Sequence, residues 1–154
     1  MAAIGAASAN VVIELGPGTG GVTRAILHAM PQQAKLVCIE INPKFNALVS
    51  RIGDKRLTAH LGSASDLREI ISRYRLDPPN AIVSGIPFST MSRSVGSQIL
   101  EAVSSVLPPN GCFVAYQVKK QVATLCQPFL GPGKISTEFL NIPPMRIFQW
   151  VKKN

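Results

Sequence analysis

Short apolar runs and amphipathic stretches alternate along this chain, with turn residues between them. Val11–Leu15 has the length of a buried strand, and Val22–Met30 reads as a helix closed by Pro31. Leu36–Glu40 is the next strand. Asn42 and Pro43 then open a helix that runs to about Arg51, with proline in its first turn. Arg56–Leu61 reads as a strand, Asp66–Tyr74 as a helix capped by Ser65, and Ala81–Ser84 as a strand ending at Gly85. Ser94–Leu107 is a helix whose Val95, Ile99, Ala102, Val103 and Val106 share one face. Asn110 and Gly111 turn into the strand Cys112–Val118, and Lys120–Leu130 is a short helix. Ile135–Ile142 and Met145–Val151 are joined at Pro143 and Pro144, too closely for a crossover helix, so they are expected to pair antiparallel. The pattern predicts an α/β fold: a seven-stranded, mostly parallel sheet with helices on both faces and a closing C-terminal hairpin.

Composition changes this picture little. The 154 residues suit one domain, 1–154, and 46% of them are hydrophobic, enough for a buried sheet. The longest apolar stretches are strand-sized, and no segment reads as a membrane span. Met1 to Asn10 is small and apolar but lacks a basic leader, so it does not read as a signal peptide. Cys38, Cys112 and Cys126 form an odd set without metal-like spacing; no metal is expected, and reduced thiols suit a cytoplasmic protein. The net charge of +8 is compatible with an anionic partner, either nucleic acid or an acidic membrane surface, or with an ordinary solvated surface.

The chemistry is concentrated where the first strand ends. Glu14 lies within that strand, and Gly16, Pro17, Gly18, Thr19 and Gly20 form a turn in which backbone can come very close to a ligand. Twenty residues beyond Gly20, the second strand ends in Glu40, placed to accept hydrogen bonds from both hydroxyls of a ribose. The pair describes a pocket for a nucleoside-bearing cofactor. Gly16, Gly18 and Gly21 also satisfy the dinucleotide pattern, so the glycines alone leave NAD open, as they leave open a turn without ligand. Two details favour S-adenosylmethionine (SAM). Glu14, read as pointing into the cleft, would repel a pyrophosphate but could help hold the amino-acid end of a zwitterion. Pro17 removes an N–H that a pyrophosphate cradle would use. The chain also has no room for the second half that a nicotinamide enzyme usually carries.

Across essentially its whole length the sequence resembles the class I SAM-dependent methyltransferases. Glu14–Gly20 is similar to their first motif, and Glu40 to the acid that binds the SAM ribose. Leu61-Gly62-Ser63-Ala64 resembles the third motif, which implies an adenine site at Ser63 and Ala64, with Ile41 beside Glu40. Ser84-Gly85-Ile86-Pro87-Phe88 resembles the fourth motif, beside the transferred methyl group. The resemblance implies a Rossmann-like class I methyltransferase fold, with Gly85 at the cofactor and Ile86, Pro87 and Phe88 at the substrate. Within the class, the bacterial phospholipid N-methyltransferases, which act on phosphatidylethanolamine, are most similar. The shared segments include Leu107–Gly111 and Asn141–Phe148. The rRNA adenine dimethyltransferases share the first motif, but Gly85 stands where they place the polar residue that holds the target amine. Two departures stand out. Ser63 replaces an acid common in these relatives. The chain also begins almost at its first strand, and so reads as a shortened member without their amphipathic N-terminal lid helix.

Methyl transfer needs placement and dryness more than a protein nucleophile. An amine that arrives as ammonium must lose a proton, and candidate bases are few. His28 and His60 read as structural. Tyr116, near the end of the fifth strand, is the candidate to line the substrate slot or offer a hydroxyl, and it or Phe88 could hold an ammonium by cation–π attraction. Lys119, Lys120 and Lys134 flank Phe129 and Leu130, an arrangement suited to shallow contact with an anionic membrane. The expected function is N-methylation of a phospholipid amine in the cytoplasm, peripheral to the inner membrane face. RNA adenine methylation and a non-catalytic SAM-binding module are the alternatives.

Overall fold

The computed structural model describes residues 5–138 and 145–154. Residues 1–4 and 139–144 lie outside it, so the beginning of the N-terminal segment, the end of the strand expected over Ile135–Ile142, the Pro143–Pro144 joint and much of the Asn141–Phe148 segment fall outside the described residues. The strands are β1 (Val11–Leu15), β2 (Lys35–Glu40), β3 (Leu57–Leu61), β4 (Ala81–Ser84), β5 (Cys112–Gln117), β6 (Lys134–Glu138) and β7 (Met145–Val151). The helices are α1 (Gly21–Ala29), α2 (Pro43–Ser50), α3 (Leu67–Arg73), α4 (Arg93–Val106) and α5 (Gln121–Leu130).

All seven strands join one sheet in the order β3-β2-β1-β4-β5-β7-β6. The first five run parallel, and β7 pairs antiparallel with both β5 and β6, as the short connection requires. The order reverses direction between β1 and β4. In such sheets the crevice for ligands opens at the carboxyl ends of the strands at this switch point.

The alternation of side chains along β1 splits the core into two layers. Ile13 and Leu15 face a layer completed by Leu67 and Ile70 of α3, Leu100 and Val103 of α4, and Val122 of α5. Val12 faces the opposite layer, with Ile26 and Leu27 of α1 and Val49 of α2. Every residue of β1 is buried, which is the signature of a central strand covered on both sides. The antiparallel edge is filled by aromatics: Trp150 of β7 stacks on Phe113 at 5.3 Å and on Phe148 at 6.0 Å between ring centroids.

Helix starts follow local chemistry. Asn42 caps α2 by accepting from the Lys44 N–H at 2.9 Å, with Pro43 as the first helical residue. Ser92 caps α4 through the Val95 N–H at 3.2 Å. The cap expected at Ser65 is displaced. Ser63 accepts from the Ser65 N–H and caps a short 3-10 turn over Ala64–Asp66, after which α3 begins without a side-chain cap. Two turns compete for the same serines, and the one that closes the end of β3 prevails.

Phe113 is fully buried between the two strands that flank it and the indole of Trp150. Phe113→Ala is expected to destabilise the protein by about 3–5 kcal/mol, read from the midpoint of urea unfolding.

Candidate functional site

The turn after β1 is held through its backbone N–H groups. Gly16, Gly18 and Gly20 all have positive φ, at 67°, 56° and 87°, a conformation that other residues adopt at a cost. The Gly16 N–H donates to the carbonyl of Ile39 at 2.9 Å, and the Gly20 N–H donates to Pro17 at 3.0 Å. The Gly18 N–H donates to Oε2 of Glu40 at 3.2 Å. The other oxygen of Glu40 accepts the Asn42 N–H at 2.9 Å. One carboxylate therefore ties the glycine turn to the end of β2 and the start of α2. Each of its oxygens retains an accepting lone pair.

Gly85 sits opposite this turn. Its N–H donates to the Leu15 carbonyl at 2.9 Å. A Cβ added at Gly85 would lie 2.8 Å from the carbonyl oxygen of Gly16, closer than side-chain carbons approach. The first and fourth strands thus end in backbone-to-backbone contact, and only glycine permits it. The Ile86 N–H donates to the Ser84 hydroxyl at 3.2 Å, which turns the chain out of the sheet.

Between these elements lies a cavity of about 350 Å³. Of the residues expected at the cofactor, Gly16, Gly18, Glu40, Ile41, Ser63, Ala64 and Gly85 line it. Of those expected at the substrate, Ile86 and Pro87 line it. Four segments far apart in sequence therefore converge on one cavity. Ser63 lines the cavity with its hydroxyl shared with that of Ser65, at 2.7 Å.

Other residues sit elsewhere. Glu14 does not point into the crevice: it faces the α1 side, is 2% exposed, and accepts from the Thr23 hydroxyl at 2.6 Å and the Cys38 thiol at 3.2 Å. Residues alternate across a strand, and Glu14 shares its face with Val12, so the acid braces β2 and α1 from beneath the turn. Pro17 and Gly20 are buried and Thr19 is exposed; these three shape the turn without lining the cavity. Phe88 is fully buried in the core beside α4 and α5, away from the cavity wall, because the chain folds back into the sheet layer after Pro87. Tyr116 packs on the opposite layer, since neighbouring residues of β5 point to opposite faces. His28 is exposed near the end of α1, and His60 pairs through Nδ1 with the Tyr74 hydroxyl at 2.9 Å. Phe129 and Leu130, expected to contact a membrane, are half-buried and pack against the core.

Sequence reasoning missed several wall residues. Ile39, Asn42, Phe45 and Gly62 complete the side beside Glu40, and Met91, Val95 and Ile99 complete the side beside Pro87. Val95 and Ile99 belong to the apolar stripe that the sequence predicts for α4. They lie one turn apart at its beginning, where the stripe emerges from the core and meets the cavity. Phe45, one turn after Asn42, carried a usable signal: a large aromatic in the first turn of an otherwise exposed helix. Among the described residues, no group of three or more His, Cys, Asp or Glu could hold a metal ion, and no helix is long and apolar enough to cross a membrane.

Burial raises the Glu14 pKa above the ordinary carboxylate value, opposed by the hydrogen bonds from Thr23 and Cys38 and reinforced by the charge of Glu40. Burial and the neighbouring Glu14 push the Cys38 thiol up as well, so it stays protonated and donates.

The chain superposes on precorrin-6y C5,15-methyltransferase from Geobacter metallireducens with a TM-score of 0.73 at 16% identity, covering 99% of this chain and 86% of that one. The fold is that of the class I SAM-dependent methyltransferases. Aeropyrum pernix fibrillarin, whose structure holds natively bound SAM, shares the methyltransferase fold with a TM-score of 0.70 at 12% identity over 92% of this chain and 66% of its own. In sequence, the chain is 28% identical over 108 residues to the ornithine lipid N-methyltransferase of Singulisphaera acidiphila, 69% of this chain and 56% of that protein. It is 32% identical over 84 residues to ribosomal RNA small subunit methyltransferase A of Syntrophotalea carbinolica, 54% of this chain and 30% of that protein. The chain thus spans about half the length of the lipid enzyme and less than a third of the RNA enzyme. No protein-family model matches it.

The raised pKa of Glu14 has a thermodynamic consequence. The folded protein binds this proton more tightly than the unfolded chain does. The contribution to stability is therefore whole below the ordinary carboxylate range and is lost as pH rises through the folded-state pKa. Glu14→Gln removes this dependence. The variant should gain stability relative to the parent as pH rises above the ordinary carboxylate range, measured by denaturant unfolding at a series of pH values. A difference that stays flat or runs the other way rejects the assignment.

Proposed function

We propose that this chain is a SAM-dependent N-methyltransferase that acts on the amine of a phospholipid such as phosphatidylethanolamine. The observation that carries the reading is the convergence of the glycine turn, Glu40 and Gly85–Pro87 on one cavity at the switch point of a methyltransferase fold. The wall suits a nucleoside. Glu40 keeps a lone pair on each oxygen for the ribose hydroxyls, and Ile39, Ile41 and Phe45 are apolar surfaces for a purine. Ser63 and Ala64 are the residues that would meet the adenine. Bound there, SAM supplies an electrophilic methyl group on a sulfonium.

The protein's own contribution is placement. Ile86, Pro87, Met91, Val95 and Ile99 line the other side of the cavity and keep water from the reacting amine. Among the described residues, no histidine and neither tyrosine stands on the cavity wall, so the amine loses its proton to solvent before it enters.

Two observations favour a lipid acceptor over adenine. The Gly85 contact with Gly16 leaves no space for the polar side chain that would grip a planar base amine. The cavity wall also carries exposed apolar side chains: Ile41 is 73% exposed, and Phe45 and Val95 are exposed beside it. That surface suits a substrate with an apolar body at a membrane surface, and the net charge of +8 suits an anionic leaflet. In this reading the protein works in the cytoplasm, peripheral to the inner membrane face. The similarity to a lipid N-methyltransferase supports the same choice. The second reading, RNA methylation, is favoured by the charge and by the similarity to the RNA enzyme. The third, a SAM-binding module without activity, has Ser63 in its favour.

Calorimetric titration with SAM and transfer of radiolabelled methyl groups to phosphatidylethanolamine vesicles or to RNA separate these readings. The expected outcome is binding, with label in the lipid; label in RNA alone overturns the lipid assignment, and binding without transfer to either leaves the module. Glu40→Gln presents an NH2 where one backbone N–H now finds an acceptor. It should weaken SAM binding by about tenfold to a hundredfold in the same titration.

A further inference from the structure

Gln117 closes β5 on the face it shares with Phe113 and Ala115, both of which are apolar and fully buried. The β4–β5 ladder ends at the pairing of Ser84 with Ala115. Beyond that pair the chain leaves the sheet at Gly85, and Pro87 has no N–H to offer. The side-chain amide of Gln117 takes over from the missing strand. Its Nε2 donates to the carbonyls of Ile86 at 2.6 Å and Tyr116 at 2.8 Å, and its Oε1 accepts at 3.3 Å from the Phe88 N–H, which also donates to the Ile86 carbonyl at 3.0 Å. The partners dictate the orientation of the amide, with carbonyls on the NH2 side and an N–H on the oxygen side. Gln117 is only 5% exposed, so these bonds do not exchange readily with water.

The rest of the loop is accounted for in the same way. The N–H groups of Gly85 and Ile86 are held by Leu15 and Ser84, and the Pro87 carbonyl accepts from both the N–H and the hydroxyl of Thr90. One group remains. The Gly85 carbonyl accepts no hydrogen bond from any described residue, and Gly85 lines the cavity. An apolar side chain at position 117 would serve the core as well as Phe113 and Ala115 do; a buried amide that ties two backbone groups of one loop to the end of β5 serves the loop.

We propose that Gln117 is a positioning residue. It fixes Gly85–Phe88 so that the Gly85 carbonyl and the Pro87 ring meet the methyl acceptor in one geometry. This rests on the methyltransferase reading above. Gln117→Leu keeps the bulk and discards all three bonds. Gln117→Glu keeps the shape, loses both donors when ionised, and regains one toward the Ile86 carbonyl when protonated.

The test is steady-state kinetics of both variants beside calorimetric titration with SAM. Gln117→Leu should lower kcat about tenfold to a hundredfold, the usual consequence of a misplaced acceptor. Its SAM affinity should stay within about twofold of the parent, because the bonds lost are not made to the cofactor wall. The deficit of Gln117→Glu, taken as a ratio to the parent at each pH, should narrow as pH falls. A kcat within about twofold of the parent, or SAM affinity falling in step with kcat, overturns the proposal. If the parent transfers methyl groups to no acceptor, the functional reading fails on its own, and amide exchange at Phe88 then decides about Gln117. Faster exchange in Gln117→Leu upholds the positioning role, and unchanged exchange ends it.

Discussion

The contact between Gly85 and Gly16 is the constraint on which the site depends. Two strands that are neighbours in the sheet end side by side, and their chains must part to opposite layers. Where they part, a carbonyl oxygen and an α-carbon meet with no room for a methyl group. This closeness brings the loop after β4 over the glycine turn, so residues about seventy positions apart share a wall. The usual crevice at a switch point is here narrowed to a slot by two glycines facing each other.

The two acids that flank the turn divide the work of holding it. Glu40 stands at the rim and accepts from backbone on both sides, so its charge is used at once for structure and for whatever ligand enters. Glu14 stands below, out of reach of the cavity, and its hydrogen bonds to Thr23 and Cys38 fasten the first helix to the second strand. A buried carboxyl is costly unless satisfied. Its raised pKa reflects that cost.

Much of this was legible in the sequence, for identifiable reasons. Strands buried on both faces read as apolar runs, and Ala81–Val83 is such a run, as is Val11–Leu15 apart from Glu14. The reversal of β7 followed from a connection too short for a helix. Glycines at alternate positions announced the turn, and the acid ending β2 announced its partner. What could not be read was direction. Glu14 is one residue from facing the other layer, and nothing in the pattern of β1 says which layer holds the ligand. Phe88 and Tyr116 failed for the same reason: each is adjacent to residues that line or support the slot, and each points away. Gln117 was legible as a polar residue at the end of an apolar strand, but its bonds to Ile86 and Phe88 depend on a loop that only the fold brings near.

Trp150 is the only tryptophan of the chain, and it lies in the aromatic stack of the antiparallel edge, three strands from the glycine turn. Its indole is 2% exposed and donates to the Gly131 carbonyl at 3.1 Å. The natural fluorophore of this protein therefore reports whether the far edge of the sheet is packed and is silent about the slot. Emission will follow unfolding cleanly, while occupancy of the crevice must be read by heat or by label.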